Sequence, residues 1–411
     1  MLTDVAKDIA AVERRQVAAF PAWETRTRWG LALPRKQSLV AFPKSFEAWF
    51  DDHIGLRRPL IQTYQLAKVY GLTVDRQVVG ENQALVTVGR DGWLFLTGGL
   101  LDDFRRTAAF RPEDLAAWRS CFVERSAWSR SRGIEYVVLA APTAQTIYPE
   151  FMPRNLKRAD RPSRLDELAA AMSQTPDVKF VDPCAVLVDE RHRHPTYLKT
   201  DGYWNDFGAL LAYEQTMARM PTSLMIGRRA ALADFEVRIE PVVDQGNLAK
   251  LLNSPVPFRE DWLTLLPRTP RQAKSEVVGA TSDGRTITRW TCESASGGCL
   301  VVLHDSFFKR IMPLVGEQFR EVYYVPGLEF PLAEIERWQP DAIIQQFVES
   351  KLMSRPPTNP AAMSTEVLTA AEPPATSPPL KNSLSVVLIS KLGSRLIVCC
   401  AMCCDGAAGP R

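Results

Sequence analysis

The sequence predicts an α/β fold, a mostly parallel sheet flanked by helices with a mixed insertion, and three observations carry that reading. Short apolar runs rich in β-branched residues alternate with helical patterns, so pairing through crossovers is the economical topology. A chain of 411 residues, 46% of them hydrophobic, can bury one large core. No internal repeat competes with that arrangement.

The first clear helix covers 112–132, with Pro112 in the first turn, Glu113 and Asp114 facing the N-terminal dipole and Gly133 ending it. Glu135-Tyr-Val-Val-Leu-Ala140, bounded by Pro142, reads as a buried strand. Residues 163–172 place Leu165, Leu168 and Met172 on one helical face, and a strand is expected at 178–181. A helix at 206–217 follows. Cys299-Leu-Val-Val-Leu303 is another buried strand, leading through Asp305-Ser306-Phe307 into a helical pattern that reaches Phe319. Strands at 322–325 and 342–347 complete the alternation.

These elements divide the chain into an N-terminal segment (1–40), a folded domain (41–352) and a tail (353–411). Residues 236–291 are mixed and suit hairpins or an inserted subdomain. The tail is rich in Pro, Ala, Thr and Ser and cannot bury enough apolar surface to offset chain entropy, so it is expected to be disordered.

Lysine and arginine total 50 against 47 aspartates and glutamates, too even a balance to argue for nucleic acid or an anionic membrane as partner. Cys399, Cys400, Cys403 and Cys404 crowd the tail without a second Cys-x-x-Cys pair or spaced histidines, so no metal site is expected, and no cofactor motif is present. Cys292 and Cys299 flank Glu-Ser-Ala-Ser-Gly-Gly and are either a disulfide across a turn or two free thiols. Residues 1–15 contain Asp4, Lys7, Asp8 and Glu13 and no apolar stretch, so no export signal is read in the sequence as written. The longest apolar run, 384–404, is interrupted by Lys391 and Arg395, and no membrane span is expected.

Two segments carry chemistry. Ser306 stands where a buried strand passes into a helical pattern, a position where backbone N–H groups converge; a hydroxyl there can attack a carbonyl while amides hold the oxyanion, provided a base takes its proton. The plainer alternative is that Asp305-Ser306 caps a helix. The second is Tyr197-Leu-Lys-Thr-Asp201-Gly-Tyr-Trp-Asn205, a polar and aromatic loop before a helix. An Asp-x-His pair there would be a base with its orienting carboxylate, but the residue two after Asp201 is Tyr203.

Together these segments resemble the SGNH-hydrolase-like O-acetyltransferases of the AlgJ and AlgX type, whose pattern is an Asp-x-His-Trp-Asn segment and, about a hundred residues later, Gly-Asp-Ser-Phe. The matching stretches are Thr200-Asp201-Gly202-Tyr203-Trp204-Asn205 and His304-Asp305-Ser306-Phe307. Phe46 to Arg57, Gly89-Arg-Asp-Gly-Trp-Leu-Phe95, Thr146-Ile-Tyr-Pro-Glu150, Gly246-Asn-Leu-Ala-Lys-Leu-Leu252, and Pro340-Asp341 leading to Val348-Glu349 are also similar to the family. The resemblance implies an SGNH-hydrolase-like, flavodoxin-like fold and transfer of acetyl groups to an exopolysaccharide such as alginate in the bacterial periplasm. It implies a polysaccharide and an acetyl donor, protein or small molecule, as partners. Because such proteins usually carry a signal or anchor, it also implies a start upstream of the one written here.

Carried over by position, Ser306 is the nucleophile, Asp201 the orienting carboxylate, and Tyr203 occupies the place of the catalytic histidine. A tyrosine phenol is a poor base, since ionising one near neutral pH costs roughly 4 kcal/mol unless a neighbouring cation helps. His304, two residues before Ser306 where the family has glycine, is the candidate substitute base, because residues two apart on a strand share a face. His192 and His194 lie in a basic surface run, and His53 is read as structural. Trp204, Tyr148 and Asn205 are the candidate substrate contacts, the rings as stacking platforms for sugars. Pro142 is followed by Thr143 where family members often have lysine, which removes a positive charge. Two functions follow: an acetyltransferase or acetyl esterase working through acetyl-Ser306, impaired by Tyr203, or an inactive polysaccharide-binding or scaffold protein of the same family.

Overall fold

The computed structural model describes three early strands and residues 85–360, apart from 98–99, 108–109, 225–228, 253–256 and 296. In chain order, β1 (Glu24–Arg26) pairs antiparallel with β2 (Ala32–Pro34), while β3 (Gln77–Val79), β4 (Leu85–Val88) and β5 (Leu94–Leu96) make a small antiparallel sheet. There follow α1 (Leu101–Arg105), α2 (Pro112–Ser131), β6 (Glu135–Ala141), α3 (Ala144–Ile147), α4 (Arg164–Ser173), β7 (Lys179–Val181), α5 (Cys184–Glu190) and α6 (Asp206–Met217). The remainder is β8 (Phe235–Val243), α7 (Asn247–Leu252), β9 (Arg259–Pro267), β10 (Lys274–Ala280), β11 (Thr286–Thr291), β12 (Cys299–His304), α8 (Met312–Gly316), β13 (Glu321–Pro326), α9 (Leu332–Trp338) and β14 (Ala342–Val348).

The apolar runs build the central sheet, ordered β10-β11-β13-β12-β14-β6-β7. From β13 to β7 every pairing is parallel, and β11 joins β13, and β10 joins β11, antiparallel at one edge. Each central strand is buried on both sides. Val137 and Leu139 of β6, Leu300 and Val302 of β12 and Ile344 of β14 pack into one core with α6. Tyr136, Val138, Ala140, Val301, Leu303 and Ile343 face the opposite core with α2 and α4. Burial on both faces explains why these strands read as continuous apolar runs rather than alternating ones. Each fully buried Val, Leu or Ile contributes about 1.5–3 kcal/mol relative to exposure, so β6, β12 and β14 are firmly held.

Local chemistry sets the helix ends. Arg111 is extended and Pro112 takes the first position of α2; Gly133 adopts a φ of 70°, which ends the element and returns the chain to β6. Ser163 and Asp166 form a reciprocal capping box at α4. The segment 236–291 holds the β8–β9 hairpin, a two-stranded sheet of its own, and the two antiparallel strands at the edge of the main sheet.

Two expectations are corrected. The helical pattern from Ser306 to Phe319 is not one helix but a 3₁₀ turn, Ser306–Arg310, followed by the short α8. Pro313 lacks the N–H that would have bonded the Lys309 carbonyl, so a continuous helix cannot pass that point. Residues 353–360, expected to open the tail, pack against α2: Trp118 Nε1 donates to Ser354 O at 3.0 Å, and Arg125 Nε donates to Asn359 Oδ1 at 2.7 Å. Of the two alternatives for Cys292 and Cys299, the structure has the free thiols, both buried. The readings placed on 361–411, on His53 and on 1–40 other than β1 and β2 lie outside the described residues. Among the described residues no helix is long and apolar enough to cross a membrane.

Candidate active site

At the C-terminal end of β12 the chain turns through Asp305, whose carboxylate fixes the turn. Oδ1 accepts from Phe307 N and Gln346 Nε2, both at 2.9 Å, and Oδ2 accepts from Val348 N at 2.6 Å. Asp305 N donates back to Gln346 Oε1 at 3.0 Å, so the turn is locked to β14. Burial pushes the Asp305 carboxyl up from its ordinary range, and these donors oppose that shift. Ser306 follows, exposed beyond the C-terminal end of this central strand, where crevices in parallel sheets commonly hold ligands.

The Asp201 loop is held from three sides. Tyr197 bridges to Trp204 across the loop and its hydroxyl donates to Pro142 O at 2.6 Å. Glu260 of β9 accepts from Lys199 N at 2.6 Å and also from the Thr200 hydroxyl. Gly202 has a φ of 100°, a conformation open to glycine, which lets the loop reverse between Asp201 and Tyr203. Trp204 Nε1 donates to Phe307 O at 3.0 Å, fastening this loop directly to the Ser306 turn.

The two segments meet as the spacing implied. Tyr203 donates its hydroxyl hydrogen to Ser306 Oγ at 2.8 Å, and its ring lies 4.8 Å, centroid to centroid, from that of Phe307. Asp201, Tyr203, Asn247, Ser306, Phe307, Lys309 and Arg310 line one cleft of about 320 Å³. Asp201 is bonded not to Tyr203 but to Asn247, accepting from its backbone N at 3.3 Å and from Nδ2 on both oxygens at 3.2 Å. Burial raises the Asp201 carboxyl, while the Asn247 donors and the Arg310 charge pull it down. Arg310, in the cleft lining, pairs with Asp206 at 2.7 Å. A larger cavity of about 780 Å³ lies beyond Asp305, lined by the 281–285 loop, Lys351 and Arg355, and Ser306 does not reach it.

Four site expectations are overturned. His304 does not reach Ser306: its ring is turned inward against Phe308 and Tyr324, Nδ1 lies 2.8 Å from Asp305 O, and Nε2 is buried without a partner. Burial lowers its pKa to about 4, leaving a neutral ring outside the cleft. Two residues apart share a strand face only while the strand continues, and β12 ends at His304. Trp204 is 0% exposed and Tyr148 6%, so neither presents a ring to a sugar. Tyr148 is packed on Trp93 and Phe151, and its hydroxyl accepts from Thr196 N at 2.9 Å. Asn205 caps α6, accepting from Gly208 N at 2.9 Å while Nδ2 donates to Pro195 O at 2.6 Å, and it too is buried.

Asn247, Lys309 and Arg310 were not singled out by the sequence. The Ser-x-x-Lys spacing from Ser306 to Lys309 was a usable signal; Asn247 stood only within the family-like segment Gly246–Leu252, and its approach to Asp201 depends on α7 packing against the loop at Gly246, where a side chain would collide with the Thr200 backbone. Among the described residues no group of His, Cys, Asp and Glu is arranged to hold a metal.

A family model described as SGNH hydrolase-like domain, acetyltransferase AlgX, matches residues 86–284, a span that includes the Asp201 loop and stops before Ser306. The match covers just under half of the chain and makes it similar to the AlgX/AlgJ-type SGNH-hydrolase-like family, as its two motifs implied. Among solved structures, PatB1 of Bacillus cereus carrying a sulfonyl adduct is similar with a TM-score of 0.50 at 15% identity, over 66% of this chain and 96% of that one. The O-acetyltransferase domain of Pseudomonas putida AlgJ is similar at 17% identity over 69% of this chain and 99% of its own, with a TM-score of 0.44. Pseudomonas aeruginosa AlgX gives 19%, 64% and 62%, with a TM-score of 0.40. At these identities the structural likeness is one of fold. No curated protein matches the chain.

Proposed function

We propose that the chain is an O-acetyltransferase, or the corresponding acetyl esterase, acting on a bacterial exopolysaccharide such as alginate in the periplasm. Ser306 Oγ attacks the carbonyl carbon of an acetyl donor, protein or small molecule; the donor's bond to the acetyl group breaks, and the donor leaves with a proton. A sugar hydroxyl then attacks acetyl-Ser306, takes the acetyl group and returns its own proton to Oγ; water in its place gives hydrolysis. The observation that carries this reading is the exposed Ser306 hydroxyl, joined to Tyr203 at 2.8 Å in a cleft that also holds Asp201. The family description, an acetyltransferase, supports the same chemistry. Arg310 brings a positive charge to the wall of the same cleft, where it can act on charge that develops during acyl transfer.

A second reading is favoured by the bonding of the same groups. Asp201 is bonded to Asn247, and Tyr203 donates to the nucleophile instead of accepting from it, so no histidine-type relay is assembled. On that reading the cleft binds polysaccharide without turnover. The test is acetyl-ester turnover and mass analysis of Ser306 in wild type, Ser306→Ala and Tyr203→His. Acetyl-transfer predicts an adduct on wild type that Ser306→Ala lacks. Wild type equal to Ser306→Ala, with activity gained by Tyr203→His, would assign the chain to binding.

A further inference from the structure

Lys309 stands three residues after Ser306, and both belong to the 3₁₀ turn Ser306–Arg310. Side chains at i and i+3 eclipse one another in a 3₁₀ helix, whereas an α-helix would offset them. The break in the helical pattern therefore puts Lys309 on the same side of the turn as Ser306, and both residues are exposed and line one cleft. Its neighbour Arg310 is committed to Asp206 at 2.7 Å, while among the described residues Lys309 has no carboxylate partner. Tyr203 fills a lone pair of Ser306 Oγ by donating to it, which leaves the Ser306 hydrogen to another acceptor.

We propose that Lys309 is that acceptor, the general base of this site, and that Ser306, Lys309 and Tyr203 form a serine–lysine–tyrosine acyl-transfer set in place of the serine–histidine–aspartate one. The proposal rests on the acetyl-transfer reading. In the first half-reaction the neutral amine of Lys309 takes the Ser306 hydrogen as Oγ bonds to the acetyl carbon; the resulting ammonium gives that proton to the departing donor group. In the second, the amine takes the proton of the sugar hydroxyl as its oxygen bonds to the acetyl carbon. The ester bond to Ser306 then breaks, and the ammonium returns the proton to Oγ. Tyr203 keeps its own proton throughout and stabilises the charge developing on Oγ, so the cost of forming a phenolate does not arise. Serine–lysine pairs perform acyl transfer on unrelated folds.

The test uses an aryl acetate as acyl donor and intact mass to follow acetyl-Ser306. Asp201, Tyr203 and Arg310, the last with Asp206, share the cleft with Lys309, so a pH profile reads the whole set and variants assign it. Lys309→Arg retains the charge without a usable base, and Lys309→Ala removes both. Expected are acylation of wild type that rises with pH, a loss of about 100-fold or more in both variants as for removal of a general base, disappearance of the pH limb, and partial rescue of Lys309→Ala alone by a small primary amine. Thermal melting checks that the variants fold. Lys309→Arg acylating as fast as wild type with the same pH profile overturns the role of Lys309 and leaves acetyl transfer standing; absence of any wild-type adduct at every pH overturns both.

Discussion

The hydroxyl of Tyr203 and Oγ of Ser306 are hydrogen-bonded at 2.8 Å although 103 residues separate them in sequence. The phenol donates, which makes it a stabiliser of the nucleophile's oxygen and not a remover of its hydrogen. Tyr203→Phe deletes the donor and keeps the ring against Phe307. A net hydrogen bond of about 0.5–1.5 kcal/mol corresponds to a fall of roughly 2- to 10-fold in the acylation rate. Stability should hold, since Tyr203 is only half-buried. Burst kinetics with an aryl acetate, beside a urea melt, measures both.

Trp204 joins the two site segments by a single bond, Nε1 to Phe307 O at 3.0 Å, and is fully buried. Trp204→Ala removes that bond and opens a cavity, with an expected loss of about 3–5 kcal/mol of stability. Trp204→Phe keeps most of the packing and is expected to fold, while loosening the Ser306 turn against the Asp201 loop, which then rests on the Tyr203 contacts. Urea unfolding of both variants separates the two effects, and the phenylalanine variant should lose acylation out of proportion to its smaller loss of stability.

Asn247 supplies the donors that hold the Asp201 carboxylate, which burial alone would raise further. Asn247→Ala removes the side-chain donor, so the Asp201 carboxyl should titrate at higher pH than in wild type. Infrared or NMR titration, with Asp201→Asn identifying the signal, gives the answer; an unmoved signal would mean that solvent or Arg310 had replaced the amide.

Much of this arrangement was legible in the sequence because it rests on local pattern. The apolar run 299–303 and the 342–347 run became β12 and β14, and Pro112 with Gly133 bracketed α2 within a residue or so. The site's frame was legible too, since Asp201, Tyr203 and Ser306 lie where the two motifs put them. What failed depended on long-range packing. Nothing in the spacing tells an exposed aromatic from a buried one, and Tyr148 and Trp204 were buried by Trp93, Phe151 and Phe307, which come from elsewhere in the chain. The inward turn of His304 is likewise set by Phe308 and Tyr324.

Glu349 is the buried acid that ties these ends together. It follows Val348, whose N–H holds Asp305, and its Oε1 accepts from the hydroxyls of both Thr143 and Thr146 beyond β6. Burial pushes its pKa from an ordinary 4.5 up to about 7, with Asp103 adding to the shift. Between those values the unfolded chain gives up the proton while the folded chain keeps it. Stability on this account therefore falls as pH rises from about 4.5 to about 7, then levels off, the whole change being on the order of 3 kcal/mol. Glu349→Gln cannot ionise and still offers Oε1 to both threonines. Its stability relative to wild type should be near equal at the acid end of that window and greater by a few kcal/mol, about 3 at most, at pH about 8. Urea unfolding of the two proteins across the window supplies the difference curve. A flat difference would mean that Glu349 is already ionised in the folded protein, neutralised by Arg158, whose charge acts on it.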